Sequence, residues 1–103
     1  MRAAVIVRPG DVEIRELPDP EPGPGEVVVA VAAVGICGTD LHIFEGEYAP
    51  HLPLVPGHEF SGRVVAVGRD VTTLRVGDAV TADPNLPCET CRFCLSARVN
   101  LCE

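Results

Sequence analysis

Apolar positions in this chain form short runs of valine, alanine and isoleucine that glycine and proline interrupt. The longest run, Glu26–Val34, is rich in β-branched residues, which is typical of a strand. Asp40–Gly46 favours a short helical turn, whereas no segment carries an apolar stripe with helical spacing over about ten residues. Four further segments predict strands, and they are Arg2–Arg8, Val12–Glu16, Phe60–Val67 and Asp78–Ala82. Short strands with regular punctuation predict a mostly-β barrel or sandwich.

Proline and glycine mark the connections between these segments. Pro9–Gly10–Asp11 predicts a hairpin-like turn between the first two strands. Pro18–Gly25 predicts an extended surface loop, because its prolines lack amide donors. Pro84–Glu103 differs from the rest, since it has few β-branched residues and most of the cysteines. We therefore expect a β part, residues 1–83, followed by a small lobe, residues 84–103, that something other than a hydrophobic core holds together.

Length and charge restrict the class of protein. The chain has 103 residues and a formal net charge of −7, which indicates one domain or less. The acidic balance argues against a nucleic-acid surface, which needs clustered positive charge. No apolar run approaches the roughly 18 residues of a membrane span, and Met1–Gly10 lacks the apolar core of a secretory signal. We expect a cytoplasmic protein that contacts neither nucleic acid nor membrane.

Without export, five cysteines indicate metal binding or catalysis before disulfides. Four of them form the pattern C-x2-C-x2-C-x7-C, which comprises Cys88, Cys91, Cys94 and Cys102. Four thiolates in a closed tetrahedral shell are typical of structural zinc. An iron–sulfur cluster is the main alternative, although Glu103 follows the last cysteine where ferredoxin-type runs have proline. Disulfides, free thiols, or a nucleic-acid zinc ribbon with only Arg92 and Arg98 as nearby positive charge are further alternatives.

A second candidate site involves residues that flank the strands. Cys37 follows the longest strand, and His58 with Glu59 precedes another. Cysteine, histidine and carboxylate side chains at strand ends suit a catalytic zinc site, which has three protein ligands and an open fourth position. Taken singly, a lone cysteine is most often a small buried hydrophobe, and a lone histidine is more often a structural hydrogen-bond partner.

In their order along the chain, these motifs resemble the zinc-containing medium-chain dehydrogenase/reductase family, the zinc alcohol and polyol dehydrogenases. Cys37–Gly38–Thr39–Asp40 is similar to the family's first-ligand motif, and the four-cysteine spacing is similar to its structural zinc lobe. Val76–Val80 resembles its G-D-x-V strand start. Its zinc signature is matched by Gly57–His58–Glu59 with Gly62, Gly68 and Val71. The resemblance covers nearly all of the chain and implies a mostly-β, GroES-like, partly open β-barrel with short helical turns in residues 1–83 and a four-cysteine zinc lobe in 84–103.

The resemblance also implies roles around a catalytic zinc ion. Cys37 and His58 would be ligands, while the four lobe cysteines would hold a structural zinc. Asp40 would be the carboxylate that orients His58, as metal-bound histidines generally require, although Asp40 would otherwise simply cap the turn that follows it. Glu59 would sit beside the metal and be able to exchange onto it.

For the reaction, the resemblance implies that Thr39 hydrogen-bonds the oxygen of a small alcohol or polyol and passes its proton outward. His42 would extend this relay toward solvent, or else be a plain surface residue. The zinc ion would stabilise negative charge on the alcohol oxygen while hydride passes to NAD or NADP. The run Cys37–Phe60 most resembles the polyol, sugar-alcohol and threonine dehydrogenase branch.

Departures from the family pattern limit what this chain is expected to do. Glu89 stands where relatives often have glycine after the first lobe cysteine. The G-x-G-x-x-G turn of the family's Rossmann domain is absent, and the third catalytic-zinc ligand of relatives lies beyond Glu103. We expect a truncated catalytic-domain portion that is inactive alone and binds no NAD(P)H, within a parent that is a homo-oligomer.

Two alternatives remain at this point. One is a stand-alone GroES-like zinc-binding module with a structural or binding role, since a fold does not determine a function. A pure scaffold has no reason to keep the cluster of Cys37, Asp40 and His58. The other is a zinc-free quinone or enoyl reductase of the same superfamily, whose members generally lack both the Cys37-type ligand and the four-cysteine lobe.

Overall fold

The structure is a computed structural model, and it describes residues 1–48 and 51–103. These described residues contain five strands, two short α-helices and a 3-10 turn at Val99–Leu101. In chain order the elements are β1 Arg2–Arg8, β2 Asp11–Glu16, β3 Val27–Gly35, α1 Gly38–Glu45, β4 Glu59–Val67, β5 Ala79–Thr81 and α2 Arg92–Leu95. The mostly-β prediction is confirmed, and each predicted strand is present within one or two residues of its expected ends.

The strands form two open antiparallel sheets. β1 and β2 make a hairpin, and the second sheet has the order β3-β4-β5. In this sheet β3 pairs with β4, with Val27 opposite Val67 at one end and Gly35 opposite Glu59 at the other. Because Cys37 follows Gly35 by two residues and His58 immediately precedes Glu59, both candidate ligands leave the same end of the sheet.

The buried apolar residues come from both sheets and from α1. Val5, Ile6, Ile43 and Val64 are the buried apolar residues among those described. Ile6 exchanges two backbone hydrogen bonds with Leu54, of 2.8 and 3.0 Å, which attaches the hairpin to the segment ahead of β4. The amide of Gly10 donates to the carbonyl of Phe44 at 2.7 Å, so the hairpin turn rests on the end of α1.

Helix α1 begins two residues earlier than the sequence pattern predicts. Cys37 is its N-cap, and the Cys37 sulfur accepts the amide of Thr39 at 3.3 Å. The carboxylate of Asp40 in turn accepts the amide of Cys37 at 2.9 Å, which completes a capping box. A thiol is not among the side chains that usually cap helices, so this start has no ordinary sequence signal.

The lobe contains α2 and the 3-10 turn, neither of which the sequence predicted. None of the residues in these two elements is buried. The two elements have only four and three residues, so the lobe has no hydrophobic core of its own to hold it. Across the described residues, the structure shows no helix with the length and apolar character that crossing a bilayer requires.

Candidate metal centres

The register of β3 and β4 brings Cys37 and His58 together. The sulfur of Cys37 lies 3.2 Å from Nε2 of His58, and both residues are partly buried. In a tetrahedral zinc site, a sulfur and a nitrogen ligand are about 3.6 Å apart, given Zn–S of about 2.3 Å and Zn–N of about 2.0–2.1 Å. The two donor atoms therefore sit close to the separation that one zinc ion would impose.

Asp40 ties together the two segments that carry these donors. Its side chain is buried, with 8% of the residue exposed. Oδ2 accepts the amide of Cys37 at 2.9 Å, and Oδ1 accepts the amide of Gly57 at 3.2 Å. Oδ1 also lies 3.8 Å from Nδ1 of His58, on the side of the ring away from the sulfur of Cys37. Capping α1 and facing His58 are thus two functions of one carboxylate.

Gly57 allows this arrangement through its backbone. Its φ of +100° lies in the left-handed region, which only glycine adopts without strain. A Cβ here would stand 2.8 Å from Cγ2 of Val34, so a side chain would also collide with β3. The resulting turn aims the Gly57 amide at Asp40 and places His58 at the start of β4.

Glu59 adds an oxygen donor to the pair. Its carboxylate, the sulfur of Cys37 and a ring nitrogen of His58 all lie within 4.8 Å of one another. Glu59 is exposed, whereas the other two are partly buried. A set of sulfur, nitrogen and carboxylate oxygen suits zinc, so the donors present fit the metal that the sequence indicated.

Helix α1 has a buried side and an exposed side. Asp40 and Ile43, three residues apart, are buried, and the Asp40 carboxylate faces the ring of His58. Thr39 and His42 have the same spacing on the exposed face and line an open cleft of about 350 Å³ with Glu47 and Tyr48. The structure therefore places Thr39 beside Cys37 and on one surface with His42.

The four lobe cysteines also lie together. Their sulfur atoms are within 4.8 Å of one another. Those of Cys88 and Cys94 are 3.9 Å apart, and those of Cys91 and Cys94 are 3.6 Å apart. The edge of a tetrahedron of sulfur atoms around zinc is about 3.8 Å at a Zn–S distance of about 2.3 Å. The lobe therefore has the dimensions of a closed zinc shell of four thiolates.

Hydrogen bonds and desolvation give the lobe thiols different pKa values. The pKa of Cys88 is lowered to about 6, chiefly by the hydroxyl of Thr90, with help from backbone amides. The pKa of Cys91 is also lowered, first by a backbone hydrogen bond from Cys94. Desolvation raises the pKa of Cys94 to about 12. A metal ion that bound all four as thiolates would therefore displace a proton from Cys94.

One residue of the lobe that sequence reasoning did not single out is Phe93, which contacts two arginines. The guanidinium groups of Arg92 and Arg98 lie 4.5 and 5.3 Å from the ring centre of Phe93. Glu89, where relatives often have glycine, has a φ of +60°, in the left-handed region. Only this last feature had a signal in the sequence, since the family's glycine marks a position with that conformation.

Comparisons with known proteins match most of the chain. Residues 23–103 match the alcohol dehydrogenase GroES-like domain. An L-threonine 3-dehydrogenase of Saccharopolyspora erythraea is 51% identical, over 99% of this chain and 31% of the relative. A sorbitol dehydrogenase of Gallus gallus is 45% identical, over 96% of this chain and 29% of the relative.

A solved structure supports the same assignment. A protein described as a zinc-binding dehydrogenase from Sinorhizobium meliloti 1021, bound to NADP, is 42% identical with a TM-score of 0.92. The match covers 99% of this chain and 30% of that protein, so the chain spans about a third or less of the length of its relatives. The similarity confirms the GroES-like fold, and this chain belongs to the family of alcohol dehydrogenase GroES-like domains.

Proposed function

We propose that the chain is the N-terminal catalytic-domain portion of a zinc-dependent, NAD(P)-linked alcohol or polyol dehydrogenase. The observation that carries this proposal is the 3.2 Å approach of Cys37 Sγ to His58 Nε2, with Asp40 bonded to the backbone on both sides. Relatives named as threonine and sorbitol dehydrogenases support it, as does a dehydrogenase bound to NADP.

Two sets of residues would hold zinc in this proposal. Cys37 and His58, with Glu59 able to exchange onto the metal, would form the catalytic site. The structural site would consist of Cys88, Cys91, Cys94 and Cys102. Zinc bound at the catalytic site supplies a Lewis acid that makes the alcohol hydroxyl more acidic, and a nicotinamide cofactor supplies the hydride acceptor.

The protein's own side chains position the alcohol and remove its proton. Asp40 orients the His58 ring from the Nδ1 side, which keeps Nε2 directed toward Cys37. The Thr39 hydroxyl accepts the proton of the alcohol hydroxyl and donates its own toward His42. The exposed ring of His42 then releases the proton to water.

The surroundings of the protein follow from the same proposal. Its substrate is a small alcohol or polyol, and the parent protein is a cytoplasmic homo-oligomer. The net charge of −7 supports the expectation that it binds neither nucleic acid nor an anionic membrane surface.

Metal counting on matched alanine variants tests the catalytic site. In the full-length protein, we expect about two zinc ions per chain, and Cys37→Ala or His58→Ala should each remove about one. Either change should also lower alcohol oxidation by about a thousandfold or more, because the polarising metal is lost. Elemental mass spectrometry and an NAD(P)H absorbance assay measure the two effects.

The control is His51→Ala, which removes an exposed histidine outside the cluster and should leave both readouts unchanged. Wild-type zinc content and turnover in Cys37→Ala would contradict the proposal. A chain that kept only the lobe zinc and never oxidised an alcohol would indicate a zinc-binding module with a structural or binding role.

A further inference from the structure

Helix α1 ends in a turn that places Glu47 beside His42. Gly46 adopts a φ of +80°, and its amide donates to the carbonyl of Ile43 at 3.1 Å. The amide of Glu47 donates to the carbonyl of His42 at 2.9 Å. This pair of bonds is a Schellman motif, in which the residue after the left-handed glycine folds back over the last helical turn.

The side chains at these two positions form a polar pair where an apolar contact usually accompanies the motif. Nδ1 of His42 lies 2.6 Å from Oε2 of Glu47, a short hydrogen bond. The two side chains are 58% and 62% exposed, and pairs that open to solvent contribute little to stability. Folding stability therefore does not account for a carboxylate at this position.

The cleft beside the His42–Glu47 pair indicates a functional role for the Glu47 carboxylate. Thr39, His42, Glu47 and Tyr48 line this opening of about 350 Å³. A carboxylate bonded to Nδ1 holds the proton of a neutral imidazole on that nitrogen and leaves Nε2 as the acceptor. The His42 ring at this cleft is then held in one tautomer. Its orientation is set by Glu47, which the backbone of the same turn holds in place.

We propose that Glu47 is a positioning residue that keeps His42 in the Nδ1–H tautomer, so that Nε2 can accept the proton released through Thr39. This inference rests on the proposed dehydrogenase function. In each turnover the hydride pair goes to the nicotinamide, and the hydroxyl proton passes through Thr39 to Nε2 of His42. The Glu47 carboxylate balances the charge of the resulting imidazolium, which returns the proton to water.

Glu45 is a second acidic group near the His42 ring. Oxygen atoms of Glu45 and Glu47 and a ring nitrogen of His42 lie within 4.8 Å of one another. Among the described residues, only Glu47 makes a hydrogen bond to the ring. Glu45→Gln is therefore a matched control, because it removes the same charge from the same cluster and leaves the hydrogen bond in place.

Nitrogen-15 NMR of the zinc-loaded protein at about pH 9 reads the tautomer of the neutral ring directly. We expect the Nδ1–H form of His42 in the wild type, in Glu45→Gln, and in Glu47→Gln, whose amide oxygen still accepts the bond. Glu47→Leu restores the usual apolar contact of the motif and should shift the ring toward the Nε2–H form. A wild-type ring in the Nε2–H form, or no change in Glu47→Leu, would overturn the proposal.

Kinetics supply the second readout. Glu47→Leu should lower kcat for alcohol oxidation by about tenfold with KM nearly unchanged, whereas Glu47→Gln should recover most of the loss. Equal losses in Glu45→Gln and Glu47→Leu would contradict positioning by this hydrogen bond. If the zinc-loaded, full-length wild type oxidises no alcohol, the dehydrogenase function itself fails, and the NMR result alone decides whether Glu47 sets the tautomer.

Discussion

At the scale of single residues, Asp40 connects folding to the candidate catalytic site. Its carboxylate accepts the amides of Cys37 and Gly57 and faces the ring of His58. One buried side chain thus joins the end of β3, the start of α1 and the segment ahead of β4. Any change at this position affects the stability of the fold and the geometry of the metal ligands together.

Asp40→Ala should therefore be strongly destabilising. It leaves two partly buried amides without their acceptor, and we expect a loss of about 2–3 kcal/mol in the free energy of unfolding. Asp40→Asn keeps one acceptor oxygen and should lose less. Urea denaturation followed by circular dichroism measures both effects.

Asp70→Ala is the control, because this carboxylate is 66% exposed. Its surface ion pair with Arg69 is long, with 3.9 Å between the charged atoms. Its expected effect is within about 0.5 kcal/mol. Equal losses for the two alanine variants would show that Asp40 does not bridge the segments in solution.

At the scale of elements, the antiparallel pairing of β3 with β4 determines where the ligands meet. Gly62 on β4 pairs with Val31, in a stretch where the register is irregular. A Cβ at Gly62 would lie 2.7 Å from Cγ1 of Val29 and collide with the backbone of Ala30. The two strands approach this closely because position 62 has no side chain.

Gly62→Ala should force the strands apart and lower the free energy of unfolding by about 1–3 kcal/mol. Since the same pairing positions Cys37 and His58, we also expect weaker zinc binding at that site and unchanged binding in the lobe. Thermal unfolding and zinc titration with a competing chelator measure the two quantities. Gly25→Ala is the matched control, because nothing lies within 4 Å of a Cβ there. Unaltered stability in Gly62→Ala would mean that the strands pair less closely than the structure shows.

At the scale of the whole molecule, two means of stabilisation are combined. The β part buries Val5, Ile6, Ile43 and Val64, whereas the helix and 3-10 turn of the lobe bury no residue. The lobe is held by hydrogen bonds to sulfur, such as that from the Cys91 amide to Cys88 at 3.2 Å, and by the cysteine cluster. Its stability should therefore depend on bound metal.

Removal of zinc with a chelator should unfold the lobe first. We expect the amides of residues 92–101 to lose hydrogen-exchange protection by about a hundredfold, while amides of β3 and β4 keep theirs. Hydrogen exchange with mass spectrometry, before and after zinc is restored, makes the comparison. Loss of protection at the same rate across the chain would show that residues 1–83 and 84–103 are one cooperative unit.

Much of this architecture could be predicted because its causes are local. β-Branched runs between glycine and proline located all five strands, since side-chain branching and missing amide donors act within a few residues. The early start of α1 could not be predicted, because it depends on a thiol cap and on a carboxylate three residues further along. The lobe helices were missed because, at four and three residues, they are too short to show a helical period in the sequence.

Of the two candidate metal sites, one could be predicted from local spacing and the other depends on distant contacts. The spacing of Cys88, Cys91 and Cys94 indicates one metal shell because ligands three residues apart can curl around a single ion. The meeting of Cys37 with His58, 21 residues apart, depends on strand register and on the Asp40 contacts. The sequence by itself thus determines which ligand types are present, and the cysteine spacing indicates the lobe. Only tertiary packing decides which distant atoms meet, because no local propensity specifies a contact made through space.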